Sequence, residues 1–120
     1  MISSLQGKSM LLIIREKANE ESLKKVAEDL DGYVKVVVDV KRKILTGGGK
    51  LHTDGEKLLL EDGSKQTDLW GAGIDFETGE IDFDSMINLR PGQGNRSREV
   101  LDKDLRNQIE IIIRSLLRKR

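Results

Sequence analysis

His52 is the only imidazole in 120 residues, so any chemistry that needs such a base near neutral pH runs through it. Asp54 follows in Leu51-His52-Thr53-Asp54, and an extended chain would turn both side chains to the same side. A carboxylate placed there would orient the ring as a general base. That arrangement, with a hard metal at acidic residues, would make a small hydrolase-like enzyme with His52 and Asp54 as its catalytic candidates. No obvious nucleophile accompanies them. The competing reading is structural, a ring that hydrogen-bonds a carbonyl or caps a turn, and it is the one preferred. With no second imidazole and no thiolate to complete a transition-metal site, no metal and no cofactor are expected.

A second concentration of chemistry is Arg90-Pro91-Gly92-Gln93-Gly94-Asn95-Arg96-Ser97-Arg98. Glycines let backbone amides approach a ligand closely, and arginines favour phosphate or carboxylate. Arg90, Gly92, Gln93, Gly94, Asn95, Arg96 and Arg98 are therefore the anion-binding candidates, although the same residues describe an ordinary connection between elements. A third is acidic: residues 61–85 hold one cation and eight anions, whereas residues 86–120 hold nine cations and four anions. Asp75, Glu77, Glu80, Asp82 and Asp84 form an acidic face that calls for a counter-charge. A hard divalent cation, a basic partner or the chain's own Lys41-Arg42-Lys43 would supply it, and a plain solvated face needs none.

Other chemistry is excluded. There is no cysteine, hence no disulfide, thiolate zinc site or iron–sulfur cluster. Gly49-Lys50 resembles the end of a P-loop, but Leu51 stands where Ser or Thr would hold magnesium and Ile44 where the first glycine belongs. Gly92-Gln93-Gly94 resembles a dinucleotide fingerprint without its third glycine or its strand–helix–strand setting. Lysine plus arginine and aspartate plus glutamate both number 21, so the zero net charge leaves nucleic acid a possible but unfavoured partner. No apolar run approaches the ~20 residues of a membrane span, and a cytoplasmic location is expected.

The elements that must position these residues follow from periodicity. An apolar run, Met10–Arg15, reads as a strand. Asn19 caps a helix over Asn19–Asp31 whose Leu23, Val26, Ala27 and Leu30 share a face, with Gly32 as its stop. Val34, Val36, Val38 and Val40 alternate as a strand does. If these two strands are parallel, they and the helix make a right-handed crossover unit. Ile44 and Leu45 extend or return the strand before Gly47-Gly48-Gly49. Thr53 or Asp54 opens a short helix through Leu60, with a strand as the alternative. Thr78-Gly79 turns a hairpin spanning Trp70–Leu89, with Phe76 opposite Ile81, Ile74 opposite Phe83, Ala72 opposite Ser85 and Trp70 opposite Ile87. A last helix, Asp102–Arg118, carries Leu105, Ile109, Ile112, Ile113 and Leu116 on one face.

Two stretches also resemble the motifs of a small prokaryotic family with no assigned function. One runs Leu51-His52-Thr53-Asp54, Leu58-Leu59-Leu60-Glu61-Asp62-Gly63-Ser64, Gln66 and Asp68-Leu69-Trp70-Gly71. The other runs Ile87-Asn88-Leu89-Arg90-Pro91 and Gln93-Gly94-Asn95-Arg96-Ser97. Gly71-Ala72-Gly73 departs from the bulkier residue the family carries after Trp70-Gly71. The resemblance implies a single domain and no particular activity.

The expected architecture is one α+β domain over residues 1–120, with residues 1–9 a flexible N-terminal segment. A mainly antiparallel sheet packs one face against two amphipathic helices. The expected function is a small binding or interaction module that contacts a small anion or a charged protein. Arg90 leaves the hairpin at the far end from Glu77 and Glu80, so the basic loop and the acidic turn are expected to form two separate surfaces. Oligomeric state is not legible.

Overall fold

The computed structural model describes residues 11–118, so the expectation for residues 1–9 lies outside the described residues. The fold is α+β, a five-stranded antiparallel sheet with three helices. In chain order the elements are β1 (Leu12–Ile14), α1 (Glu20–Val26), β2 (Tyr33–Asp39), β3 (Ile44–Gly47), α2 (His52–Glu61), β4 (Leu69–Asp75), β5 (Ile81–Asp82) and α3 (Lys103–Leu116). The strands lie in the order β1-β3-β2-β4-β5. Because β3 runs antiparallel to both β1 and β2, those two are parallel to each other with β3 inserted between them. The strand–helix–strand unit is therefore split, and Ile44 and Leu45 belong to the returning strand that splits it.

Period-two alternation divides the sheet's side chains. Val34, Val36, Val38, Leu45, Trp70, Ala72 and Ile74 pack against Leu23 and Val26 of α1 and Ile109, Ile112, Ile113 and Leu116 of α3. Asn19 and Asp102 cap those helices through their side chains, as expected. The first helix ends at Val26 rather than Asp31, because the chain turns through left-handed backbone at Asp31 and Gly32 to enter β2. The sheet's other face is covered in part by α2, which packs Leu59 on Val37, Ile44 and Leu69.

The hairpin register is corrected by two residues. Ile74 faces Ile81 and Gly73 faces Asp82. Asp75 accepts the N–H groups of Glu77 and Thr78 on Oδ1, Gly79 donates to the Asp75 carbonyl, and Gly79 takes φ +80°, which closes a four-residue loop. A shift of two preserves the faces, so Phe76, Ile81 and Phe83 still pack, half-buried, beside the α1–α3 core. The strand pairing then ends at Asp82 instead of reaching Leu89. Beyond it the side chain of Asn88 takes the partner strand's place, accepting from Gly71 N–H and donating to Gly71 O at 2.8 and 3.0 Å. Met86–Asn88 is a 3-10 turn capped by Ser85.

Candidate functional site

Two glycines on β4 shape the α2 face of the sheet. Gly71 and Gly73 point to the same side, and larger side chains lie down over them. A Cβ on Gly71 would stand 2.6 Å from Ser85 Oγ and 3.2 Å from His52 Cδ2, and one on Gly73 would overlap the Tyr33 phenol. The sheet is thus hollowed, and His52, Tyr33 and Ser85 line the floor of a groove of about 540 Å³. Its walls carry Lys35, Leu51, Thr53, Asp82, Asp84, Met86, Ile87, Arg98 and Glu99. No group of three or more potential metal ligands forms among the described residues.

His52 opens α2 and is 9% exposed. Its Nε2 stands 2.7 Å from the Ala72 carbonyl. A carbonyl only accepts, so Nε2 carries the proton and Nδ1 keeps its lone pair. Burial pushes the ring's pKa below 6.5, the nearby Lys35 ammonium adds to that, and the Ala72 bond and the Asp82 and Asp84 charges oppose it. The ring is thus hydrogen-bonded to a backbone carbonyl. The segment is helical rather than extended, so Asp54 sits on another side of α2 and is exposed. The structure does not bring Asp54 to the ring.

The acids of the groove already hold donors. Tyr33 donates its hydroxyl to Asp82 at 2.6 Å. Burial, reinforced by that carboxylate, keeps the phenol protonated far above its usual range. Arg98 pairs with Asp84 at 3.2 Å, both side chains about half exposed. Lys35 makes no ion pair or side-chain hydrogen bond among the described residues. The N-cap position of α2 is Leu51, whose side chain offers no oxygen to the first-turn N–H groups.

The Arg90–Arg98 loop is largely internal framework. Arg90 donates to the carbonyls of Ile87, Gln66 and Leu69 and lies 4.4 Å from the centre of the Trp70 ring. Asn95 is buried and donates to the carbonyls of Asn88, Ser97 and Glu99, while its Oδ1 accepts from Leu101 N–H. Gln93 donates to Thr67 O. Gly92, Gly94 and Arg96 remain exposed on the loop, and Arg98 reaches the groove.

The acidic face is split as well. Asp75 closes its own turn, Glu77 and Glu80 stay exposed beside it, and Asp82 and Asp84 enter the groove. The basic loop and the acidic face touch at Arg98–Asp84, because the chain leaves the sheet after Asp82 and bridges back at Asp84–Glu99, while among the described residues no loop arginine pairs with the turn-proximal Glu77 or Glu80. Lys41-Arg42-Lys43 does not neutralise this face. Arg42 binds Asp62 and Ser64, and Ser64 in turn donates to the fully buried Asp39.

Sequence reasoning missed Tyr33, Lys35 and Ser85. The signal that marks them is Gly71-Ala72-Gly73, two glycines of one face inside a strand, which betrays close approach from above.

Residues 12–116 match the model of a family described as Protein of unknown function (DUF5674), and the chain belongs to that family. No curated protein and no solved structure matches it.

Proposed function

We propose that this member of a family of unknown function is a small binding module whose ligand surface is the groove over Gly71 and Gly73. The observation that supports this reading is His52. It is held rigidly by one nitrogen on the Ala72 carbonyl, with the other nitrogen unpartnered among the described residues, in a groove where Lys35 also lacks a partner. Convergent polar groups in a concave site with apolar walls are what a small ligand requires, and Leu51 and Met86 supply those walls while being 57% and 60% exposed. The Arg90–Arg98 loop contributes Arg98 to this surface. Its own capacity for an anion rests on Arg96 and the exposed Gly92 and Gly94 amides.

The enzymatic alternative through His52 and Asp54 lacks the contact that would make it a base pair of that kind. A cytoplasmic address remains part of the proposal, supported by the finding that no helix among the described residues is long and apolar enough to cross a membrane. The test is a titration of 15N-labelled protein with a set of small acids, amines and amino acids, and separately with inorganic phosphate. Amide shifts concentrated at Lys35, His52, Thr53 and Asp84 support the groove. Shifts confined to Gly94 and Arg96 would move the site to the loop, and silence at both would overturn the module.

A further inference from the structure

Resting on the groove as the binding surface, we propose that its ligand is a small zwitterion: an ammonium and a carboxylate carried on one apolar body, of which a free apolar α-amino acid is the simplest case. The groove presents both signs in separate places. Lys35 on β2 stands opposite Gly73 on β4, and Gly73 opposite Asp82 on β5, so one row across the sheet reads cation, glycine, anion. Two strand spacings, about 10 Å, separate the Lys35 and Asp82 backbones, and the Tyr33 phenol lies over Gly73 between them, donating to Asp82, so that Asp84 is the carboxylate an incoming ammonium meets.

The cationic end is reinforced by α2. The unpaired Lys35 ammonium is close enough to influence His52, and the first turn of α2 carries the partial positive charge of a helix start without a side-chain cap. A carboxylate fits there. The anionic end holds Asp82 and Asp84, and the Asp84–Arg98 pair is exposed on both sides, so an incoming ammonium can take over Asp84 from Arg98 at little cost. The neutral Nδ1 of His52, a nitrogen of a nine-tenths buried ring, is an acceptor without a donor and suits an ammonium N–H.

Neither charge alone is well served. A simple anion would meet Asp82, Asp84 and Glu99, and a simple cation would meet Lys35, Arg98 and the start of α2. A zwitterion satisfies both ends, and Leu51, Met86 and Ile87 offer its apolar part a wall. Peptide termini carry one of the two charges and are disfavoured for the same reason.

The experiment compares three probes on 15N-labelled protein: L-leucine, 4-methylpentanoate, which lacks the amine, and isoamylamine, which lacks the carboxylate. Leucine is expected to shift the Lys35, His52, Thr53 and Asp84 amides, and each single-charge analogue to bind at least about tenfold more weakly. Lys35→Met should weaken leucine about tenfold while leaving isoamylamine no weaker. Asp84→Asn should weaken leucine and spare 4-methylpentanoate, and it serves as the second variant should Lys35→Met lose its native spectrum. Either analogue binding as well as leucine overturns the zwitterion but leaves the groove standing. Groove shifts with other fragments but none with leucine do the same. Silence of the groove toward every probe overturns both readings.

Discussion

The two faces of the sheet are built on opposite rules. Toward α1 and α3 the strands present an almost unbroken apolar surface, from Val34, Val36, Val38 and Leu45 to Trp70, Ala72 and Ile74. Toward α2 the apolar contacts shrink to Val37, Ile44, Leu59 and Leu69 with Ile13 and Ile87 beside them, and glycines and hydrogen-bonded polar groups lie around this smaller cluster. Gly55 lets α2 settle directly over Val37 and Thr46. Gly71 and Gly73 let His52, Ser85 and Tyr33 lie on the sheet. One face gains stability from area removed from water, and the other gains a defined shape from hydrogen-bonded polar side chains. Because the first anchors the fold, the second can keep a hollow.

This contrast is sharpest where a single side chain is removed. Ile113 is fully buried in the α1–α3 core, and Ile113→Ala should lower stability by about 4 kcal/mol in chemical denaturation. On the other side Asn88 is equally buried, and its amide ties Gly71, Phe83 and Arg98 together. Asn88→Ala should cost about 3 kcal/mol, since each buried group left unsatisfied carries a penalty of about 1–3 kcal/mol. If Asn88→Ala proves nearly neutral, the polar face is not held by its hydrogen bonds and the comparison fails.

The glycines divide next. A Cβ at Gly71 presses on the Cβ and hydroxyl of Ser85, close to the backbone of the 3-10 turn, whereas one at Gly73 meets the far end of Tyr33, which can swing away. Gly71→Ala should therefore cost about 1–3 kcal/mol. Gly73→Ala should cost less but release the Tyr33 hydroxyl from Asp82, visible as a fall of the phenol's titration midpoint in ultraviolet difference spectra. Equal cost at both positions would mean that the turn after β5 yields as readily as a side chain.

Much of the apolar face was legible from sequence, because valines at 34, 36 and 38 and isoleucines at 109, 112 and 113 report their partners through simple periods. The N-caps Asn19 and Asp102 were legible for the same local reason, whereas α2 opens at His52 behind an uncapped Leu51 rather than at Thr53 or Asp54. The hairpin register was not, since Thr78-Gly79 serves a two-residue turn as well as the end of a four-residue loop. Asp75 decides between them by accepting two backbone N–H groups. The polar face was the least legible. Arg90 and Asn95 resemble ligand-binding residues, and only the fold shows that their donors face the chain's own carbonyls. Conversely Lys35 sits within an alternating valine strand as an ordinary outward residue, and nothing local says that α2 and two glycines enclose it.

The smallest effect to measure concerns His52, and it separates the faces by pH. Lys35 on β2, Asp82 on β5, Asp84 beyond it and the Ala72 carbonyl on β4 all act on the ring, with Tyr33 and Ser85 beside it on the floor. Burial dominates, so the folded pKa lies below the ordinary 6.5. The unfolded chain then binds this proton more readily than the folded one. Stability is fully present above the unfolded value and falls as pH drops through the folded one. With one histidine in the chain no other imidazole contributes, and Asp62, lowered to about 2 by Arg15 and Arg42, titrates far from this window. Denaturation midpoints should decline as pH falls below the ordinary 6.5, and His52→Gln, which keeps a donor for Ala72, should flatten that part of the curve. A flat profile in the unsubstituted protein would show that the ring is not buried as neutral imidazole. If leucine binds through the Nδ1 lone pair, its affinity should fall across the same window, because the proton and the ammonium compete for one nitrogen.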